Sequence, residues 1–319
     1  MKPNPVHGAL FGLAIGDALG VPVEMIKRDV LKKDPVQDFT NYKGPEGYKG
    51  HQQPVGTFSD DSSLTFCLAE SLCNGYNLND IAARFVQYFF EGYWTAGGVV
   101  FGVGKSTEDA ITRLRDGVLP ERSGNYDVNC TGNGSLMRIL PLLFYLRAYP
   151  VGMRYHMTRQ VASITHGSIQ TILPCFYFLE FALEILNGSD RQTAYGNTAK
   201  TVSTFISNLE PGQQHMDVLT PLINEDITQR SEGSINSIHH AVHTIQAAMY
   251  CFMKTNSYTE AVLMAVNLGD DTDTTAAVTG GLAGLYYGFD AIPEKWIAQL
   301  KRSNEIKDLG DRLTKAMGL

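Results

Sequence analysis

The sequence predicts an all-α fold, a single multi-helix domain over residues 1–319. Apolar residues recur at helical spacing along most of the chain, and no series of alternating strands emerges. The breaks between apolar runs carry helix-capping residues and glycines.

The elements follow in order. The opening MKPNPVHGALFGLAIGDALG is apolar, holds several glycines and is interrupted by Asp17. Only Lys2 supplies positive charge ahead of it, and no stretch reaches the roughly 18 uninterrupted apolar residues of a membrane span. It therefore reads as a buried first helix, not a targeting segment. Leu64, Cys67, Leu68, Ser71 and Leu72 mark one helical face after Asp61. Ile81, Phe85, Tyr88 and Phe89 mark the next, which Asn79 or Asp80 would cap. Residues 136–146, 160–164, 169–186, 194–206, 235–252 and 258–266 repeat the pattern, and 305–317 is an amphipathic, charged helix. Asn187, Gly188 and Ser189 end one long helix. Two loop-like stretches, 32–58 and 115–134, each run straight into a motif, as functional loops do. EPGQQHMD (210–217) and SEGS (231–234) read as surface connections.

Composition is that of a soluble globular protein, 44% hydrophobic and 18% charged, and a net charge of -7 argues against a nucleic-acid surface. Cys67, Cys73, Cys130, Cys175 and Cys251 are scattered with no CxxC pair, which argues against a zinc ribbon or a disulfide framework. A reducing cytoplasm is the expected compartment.

The chemistry concentrates in two acidic knots. Ser59-Asp60-Asp61-Ser62 and Asp270-Asp271-Thr272-Asp273-Thr274 each follow a glycine-containing turn and open an apolar helix. A single knot could be no more than an N-cap favoured by the helix dipole. Two knots hold more carboxylates than capping uses, and neither has Lys or Arg in its immediate sequence. Adjacent carboxylates repel unless a cation sits among them. Carboxylates mixed with hydroxyls are hard oxygen ligands, suited to Mg²⁺ or Mn²⁺ rather than zinc. A calcium loop of the EF-hand type is excluded, because Ala276 and Leu282 stand where its glycine and glutamate belong.

Four motifs coincide in order: GALFGLAIGDALGVPVE (8–24), SDDSSLT (59–65), TGNGSLMRILPL (131–142) and NLGDDTDTTAAVTGGLAG (267–284). Together they resemble the ADP-ribosylglycohydrolase family, whose members include the enzyme that reactivates dinitrogenase reductase, and the likeness spans nearly the whole chain. The resemblance implies an all-α fold, two Mg²⁺ or Mn²⁺ ions, and hydrolysis of the bond between ADP-ribose and a modified group. By position it implies Ser59, Asp60, Asp61, Asp271, Asp273 and Thr274 as metal ligands, with Ser59 standing where threonine is usual. Asp270 occupies a position where glycine is frequent, and so implies a capping or supporting role. Glu24 matches a glutamate that reaches the metal site or its water.

The same resemblance implies that Gly132, Asn133, Gly134 and Ser135 bind ADP-ribose. Backbone N–H groups before a helix starting near Leu136 would take phosphate, and Asn133 and Ser135 would bond ribose hydroxyls. Arg138 is either part of that site or a structural ion-pair partner. His166 matches a histidine near the nucleotide, and Phe101, Gly102 and Gly104 align with a loop shaping the pocket floor. His239 and His243, four apart, read as a solvated or structural pair, with His243 aligned to a polar position near the pocket.

The expected substrate is an ADP-ribosylated protein, with N-linked arginine the first expectation, and no membrane is involved. The ribose 2- and 3-hydroxyls approach the ions, and water attacks the anomeric carbon, positioned or deprotonated by Asp60, Asp61 or Glu24. Two rival readings follow from the same residues. An all-α enzyme acting on a prenyl diphosphate would need aspartate at Leu64 to complete DDxxD. A catalytically inactive ADP-ribose-binding relative would not need the acidic knots intact.

Overall fold

The computed structural model describes residues 4–39, 48, 50–209 and 212–319. Among them lie sixteen α-helices and no strand. The first eight are α1 (Pro5–Gly20), α2 (Arg28–Leu31), α3 (Asp60–Leu72), α4 (Leu78–Glu91), α5 (Lys105–Arg115), α6 (Pro120–Ser123), α7 (Leu142–Leu146) and α8 (Val151–Ser163). The rest are α9 (Ile169–Leu186), α10 (Arg191–Ser207), α11 (Gly212–Ile223), α12 (Ala241–Lys254), α13 (Tyr258–Val266), α14 (Thr272–Tyr287), α15 (Glu294–Gln299) and α16 (Ser303–Met317).

The centre of the fold is the pair α1 and α14. Gly8, Gly12, Gly16 and Gly20 recur every fourth residue and so line one stripe of α1. They lie against Gly284, Gly280, Ala276 and Asp273 in that order, so the two helices run antiparallel with backbones in contact. A β-carbon on Gly12 would stand 3.1 Å from the α-carbon of Gly284 and closer still to the Gly280 carbonyl, so no side chain fits there. Every residue of α1 is buried, as are Thr272 to Leu285 of α14.

This packing decides where the site forms. It brings the C-terminal end of α1 against the N-terminal start of α14, where the Thr272 hydroxyl donates to the Gly20 carbonyl at 2.8 Å. One turn back on α1, Asp17 is fully buried and acts as a shared cap for α3. Its carboxylate accepts the backbone N–H of Ser59 at 2.9 Å and that of Ser62 at 3.0 Å. Both acidic knots are thereby anchored to the same end of one helix. Around this axis a single hydrophobic cluster extends through α3, α4, α9, α12, α13 and α16. Residues 5–23 and α9 have the length and hydropathy of a membrane span, yet 94% and 83% of those windows are buried among the other helices.

Several elements depart from the sequence expectation. Residues 136–141 form turns, and the helix begins only at Leu142. Pro141 lacks the N–H that would continue a helix through this stretch. The helix expected over 235–252 starts at Ala241, so His239 precedes it and shares no helical face with His243. Of the connection expected at 210–217, residues 210 and 211 lie outside the described residues, and Gly212 opens α11. Of the loop expected at 32–58, residues 40–47 and 49 lie outside the described residues. The loop expected over 115–134 carries α6 and a parallel bridge from Asn125 to His166.

Candidate active site

The two knots meet. Asp60, Asp61, Asp271 and Asp273 are each at most 3% exposed; Asp60 and Asp271 lie close enough to Asp61 to act on it, and Asp61 and Asp271 close enough to Asp273. Ser59 is the N-cap of α3: its hydroxyl accepts the Asp61 N–H at 3.2 Å and donates to Asp61 Oδ2 at 3.0 Å. Asp271 stands at the N-cap position of α14, and Asp273 Oδ1 accepts the Thr274 N–H at 2.9 Å. Asp270 is held apart by an ion pair to Lys27, in a left-handed backbone conformation at φ 59°.

Burial pushes Asp60, Asp61 and Asp273 well above the ordinary carboxylate range, and the neighbouring carboxylates add to it. Asp17 is raised by burial to about 6, despite its bonds from Ser59 and Ser62. This set fits a divalent cation. Asp61 Oδ1 and Asp271 Oδ1 are buried and accept no hydrogen bond among the described residues. Burying like-charged carboxylates with free lone pairs is costly unless a cation is to neutralise them. The acceptors are carboxylate and hydroxyl oxygens, with one imidazole at the edge.

A cavity of about 300 Å³ opens over the knots. Its lining includes Glu24, Asp60, Asp61, Asp271 and Thr274 together with Gly132, Asn133, Gly134, Met137 and His166. Gly104 to Thr107, the cap and first turn of α5, complete the lining together with His239. Gly102 has φ +79°, and a β-carbon on it would stand 2.7 Å from Asp60 Oδ1, so only glycine lets this loop approach the knot. At the start of α5 the Thr107 N–H already donates to the Gly104 carbonyl at 3.0 Å, which leaves the N–H groups of Lys105 and Ser106 as the helix-start donors facing the cavity.

The remaining expected residues divide. Asn133 lines the cavity, but its amide already donates to Asp271 Oδ2 at 2.6 Å and to Thr244 Oγ1 at 2.8 Å. It therefore ties the glycine-rich turn to the acidic knot. Ser135 is fully buried, its hydroxyl 3.5 Å from Cys175 Sγ, facing the core rather than the cavity. Phe101 lies 5.0 Å from the His51 ring, and His51 pairs with Glu24, which raises the His51 pKa. Among the described residues Arg138 pairs with no carboxylate. It is buried over the Phe85 ring and donates to Thr165 Oγ1 at 2.8 Å.

That bond sets the state of His166. Thr165 Oγ1 also lies 2.8 Å from His166 Nδ1. Arginine can only donate, so the threonine hydroxyl is free to donate its proton to Nδ1. Burial, and then the Arg138 charge, lower the His166 pKa to about 3, so the ring is neutral. The Nε2–H is then a donor directed towards Gly132 and Gly134.

Asp17, His51 and His239 were not assigned to the site from sequence, nor were Lys105, Ser106 and Thr107 of the cavity wall. The half-exposed His239 lines the cavity, with Nδ1 3.0 Å from Asp271 Oδ2. That bond raises its pKa to about 9. The only sequence signal for Asp17 was a carboxylate inside an otherwise apolar helix. Such a group, once buried, must find donors.

A pH prediction follows for protein stripped of divalent cations. The folded state holds protons on Asp17, Asp60, Asp61 and Asp273 more tightly than the unfolded chain does. Their contribution is therefore fully present below the ordinary value of 3.8 and is lost as pH rises through the raised ones, about 6 for Asp17. Glu24, Asp271 and the paired His239 and His51 face the same groups. In EDTA the melting temperature should fall as pH rises from about 4 through 6, the interval set by Asp17, and saturating Mg²⁺ or Mn²⁺ should reverse the fall. Equal melting temperatures with and without cation at pH 8 would contradict it.

The chain is similar to known proteins along nearly its whole length. The profile of the family described as ADP-ribosylglycohydrolase matches residues 3–319. The chain is 30% identical over 311 residues to the ADP-ribosylarginine hydrolase Tri1 of Pseudomonas putida (strain GB-1), covering 96% of this chain and 76% of that protein. It is 27% identical to the ADP-ribosyl-[dinitrogen reductase] glycohydrolase of Rhodospirillum rubrum, over 98% of this chain and 96% of that protein. A solved structure described as an ADP-ribosylglycohydrolase-related protein complex superposes with a TM-score of 0.75 at 29% identity, covering 98% of both chains. The chain belongs to the ADP-ribosylglycohydrolase family.

Proposed function

We propose that this protein is a divalent-cation-dependent ADP-ribosylhydrolase that releases ADP-ribose from arginine side chains of modified proteins. The observation that carries the reading is the single cavity shared by the two acidic knots, the Gly132–Gly134 turn, the start of α5 and His166. The arginine linkage is supported by the relatives at 30% identity that bear the name ADP-ribosylarginine hydrolase.

Asp60, Asp61, Asp271, Asp273, Thr274 and Ser59 would hold two Mg²⁺ or Mn²⁺ ions, with Glu24 at their edge. Bound there, the ions supply charge neutralisation and Lewis acidity towards the ribose hydroxyls. The chain's own groups do the rest. Backbone N–H groups at the Gly132–Gly134 turn and the first turn of α5 bind the diphosphate. The Nε2–H of His166 donates to an acceptor oxygen of the ligand. Asn133 holds Asp271 in place while the ligand occupies the cavity.

As the C–N bond to the guanidine breaks, positive charge develops on the anomeric carbon, and the acidic wall stabilises it. Glu24, Asp60 or Asp61 orients a water and takes its proton as the oxygen bonds that carbon, while the guanidine departs as a neutral base and takes a proton from solvent. A release assay across ADP-ribosyl-arginine, ADP-ribosyl-serine and O-acetyl-ADP-ribose, with and without Mg²⁺, tests the reading. Expected is release from arginine that EDTA abolishes. Binding of ADP-ribose with no release from any of the three, or full turnover in excess EDTA, would overturn it.

A further inference from the structure

The imidazole at the rim of the acidic site has no part in the reading above. His239 lies in a short segment between the surface connection and α12, and that segment is fastened to the second knot. The Ser237 carbonyl accepts the Asp271 N–H at 2.8 Å, and the Ser237 hydroxyl donates to the Gly269 carbonyl at 2.8 Å. The ring is oriented by its two nitrogens: Nε2 faces Met25 Sδ at 3.3 Å, which leaves Nδ1 directed at the carboxylates, 3.0 Å from Asp271 Oδ2. One potential ligand atom from each of Glu24, His239 and Asp271 lies within 4.8 Å of the other two, close to the spacing at which one ion touches all three. Asp271 Oδ1 beside them is buried and accepts no bond among the described residues.

We propose that His239, releasing its Nδ1 proton to solvent as the cation enters, is a ligand of the cation site through Nδ1, placing one nitrogen in an otherwise oxygen donor set and biasing the site towards Mn²⁺ over Mg²⁺. The proposal rests on the cation-binding part of the reading above. Mg²⁺ favours all-oxygen octahedral surroundings and parts with water reluctantly, whereas first-row transition ions accept imidazole readily. His239 thus acts on which ion the site retains.

The test is pulsed electron paramagnetic resonance of Mn²⁺ bound to the full chain. Wild-type protein should show ¹⁴N modulation that changes to the ¹⁵N pattern on histidine labelling and disappears in His239→Asn. The same variant should lower the Mn²⁺-to-Mg²⁺ affinity ratio roughly tenfold, the lower end of the range for lost metal-site support. His239 is half-exposed and outside any helix, so the variant is expected to fold, with an unchanged circular dichroism spectrum as the check. Bound Mn²⁺ without nitrogen modulation, or modulation that survives in His239→Asn, overturns His239 as a ligand and leaves the cation site standing. No Mn²⁺ uptake at all overturns both.

Discussion

Replacing Asp61 by asparagine should abolish hydrolysis and, at the same time, raise the melting temperature of the cation-free protein. Both effects come from one carboxylate. Asp61 is buried, its Oδ1 accepts no bond among the described residues, and burial together with Asp17, Asp60 and Asp271 opposes its ionisation. Asparagine removes a charge that nothing in the metal-free fold neutralises, and its oxygen can still accept from the Ser59 hydroxyl. The metal-free protein therefore gains stability, as happens where a functional site holds groups that the fold alone disfavours. The cation site loses a ligand, so the rise in melting temperature on adding Mg²⁺ or Mn²⁺ shrinks or vanishes. Turnover should fall by about 10³-fold or more, since several kcal/mol of charge stabilisation depend on the bound ions. Thermal melts in EDTA and in excess cation, beside the release assay, check each part. Unchanged turnover, or a cation-free variant less stable than wild type, would contradict the account.

The second large effect is structural. Gly12→Val should destabilise the protein by about 3 kcal/mol or more, the upper end for overpacking, because the obstacle is backbone that cannot rotate aside. The new β-carbon would meet the Gly280 carbonyl and stand 3.1 Å from Gly284 Cα. Forcing α1 from α14 would also separate Asp17 and Gly20 from the starts of α3 and α14, so cation affinity should fall with stability. Gly196→Ala is the matched control: a β-carbon there meets nothing within 4 Å, on an exposed face of α10. It should stabilise by roughly 0.5–1 kcal/mol through the loss of glycine's freedom in the unfolded chain. Melting temperatures for the pair decide it. A Gly12→Val protein that melts like wild type would refute the interlocked α1–α14 pair.

The acidic knots were legible because their chemistry is local: carboxylates and hydroxyls crowd a few consecutive positions. The helical class was legible for the same reason, since apolar periodicity is read within one element. What stayed hidden depends on tertiary meeting. Asp17 and His51 stand singly in their own segments and His239 sits beside His240, and each gains meaning only when α1, the loop before α3 and the segment before α12 converge. Ser135 sits within a motif, yet backbone turns carry its hydroxyl to Cys175 and away from the cavity. Asn133 is in the cavity, but its amide is engaged with Asp271 and Thr244, a pairing across 138 and 111 positions of sequence. Apolar periodicity from Leu136 points to a helix, but Pro141 lacks the N–H that such a helix would use, so the helix begins at Leu142. The helix start that faces the cavity is instead that of α5, whose sequence KSTEDAITRLR carries little apolar signal.

The most direct measurement is an anomalous difference map from crystals soaked in Mn²⁺. The account predicts two peaks inside the cavity, among the side-chain oxygens of residues 59–61 and of Asp271, Asp273 and Thr274. Saturating Mn²⁺ that leaves this cluster without a peak, or places its ions elsewhere on the chain, would contradict it.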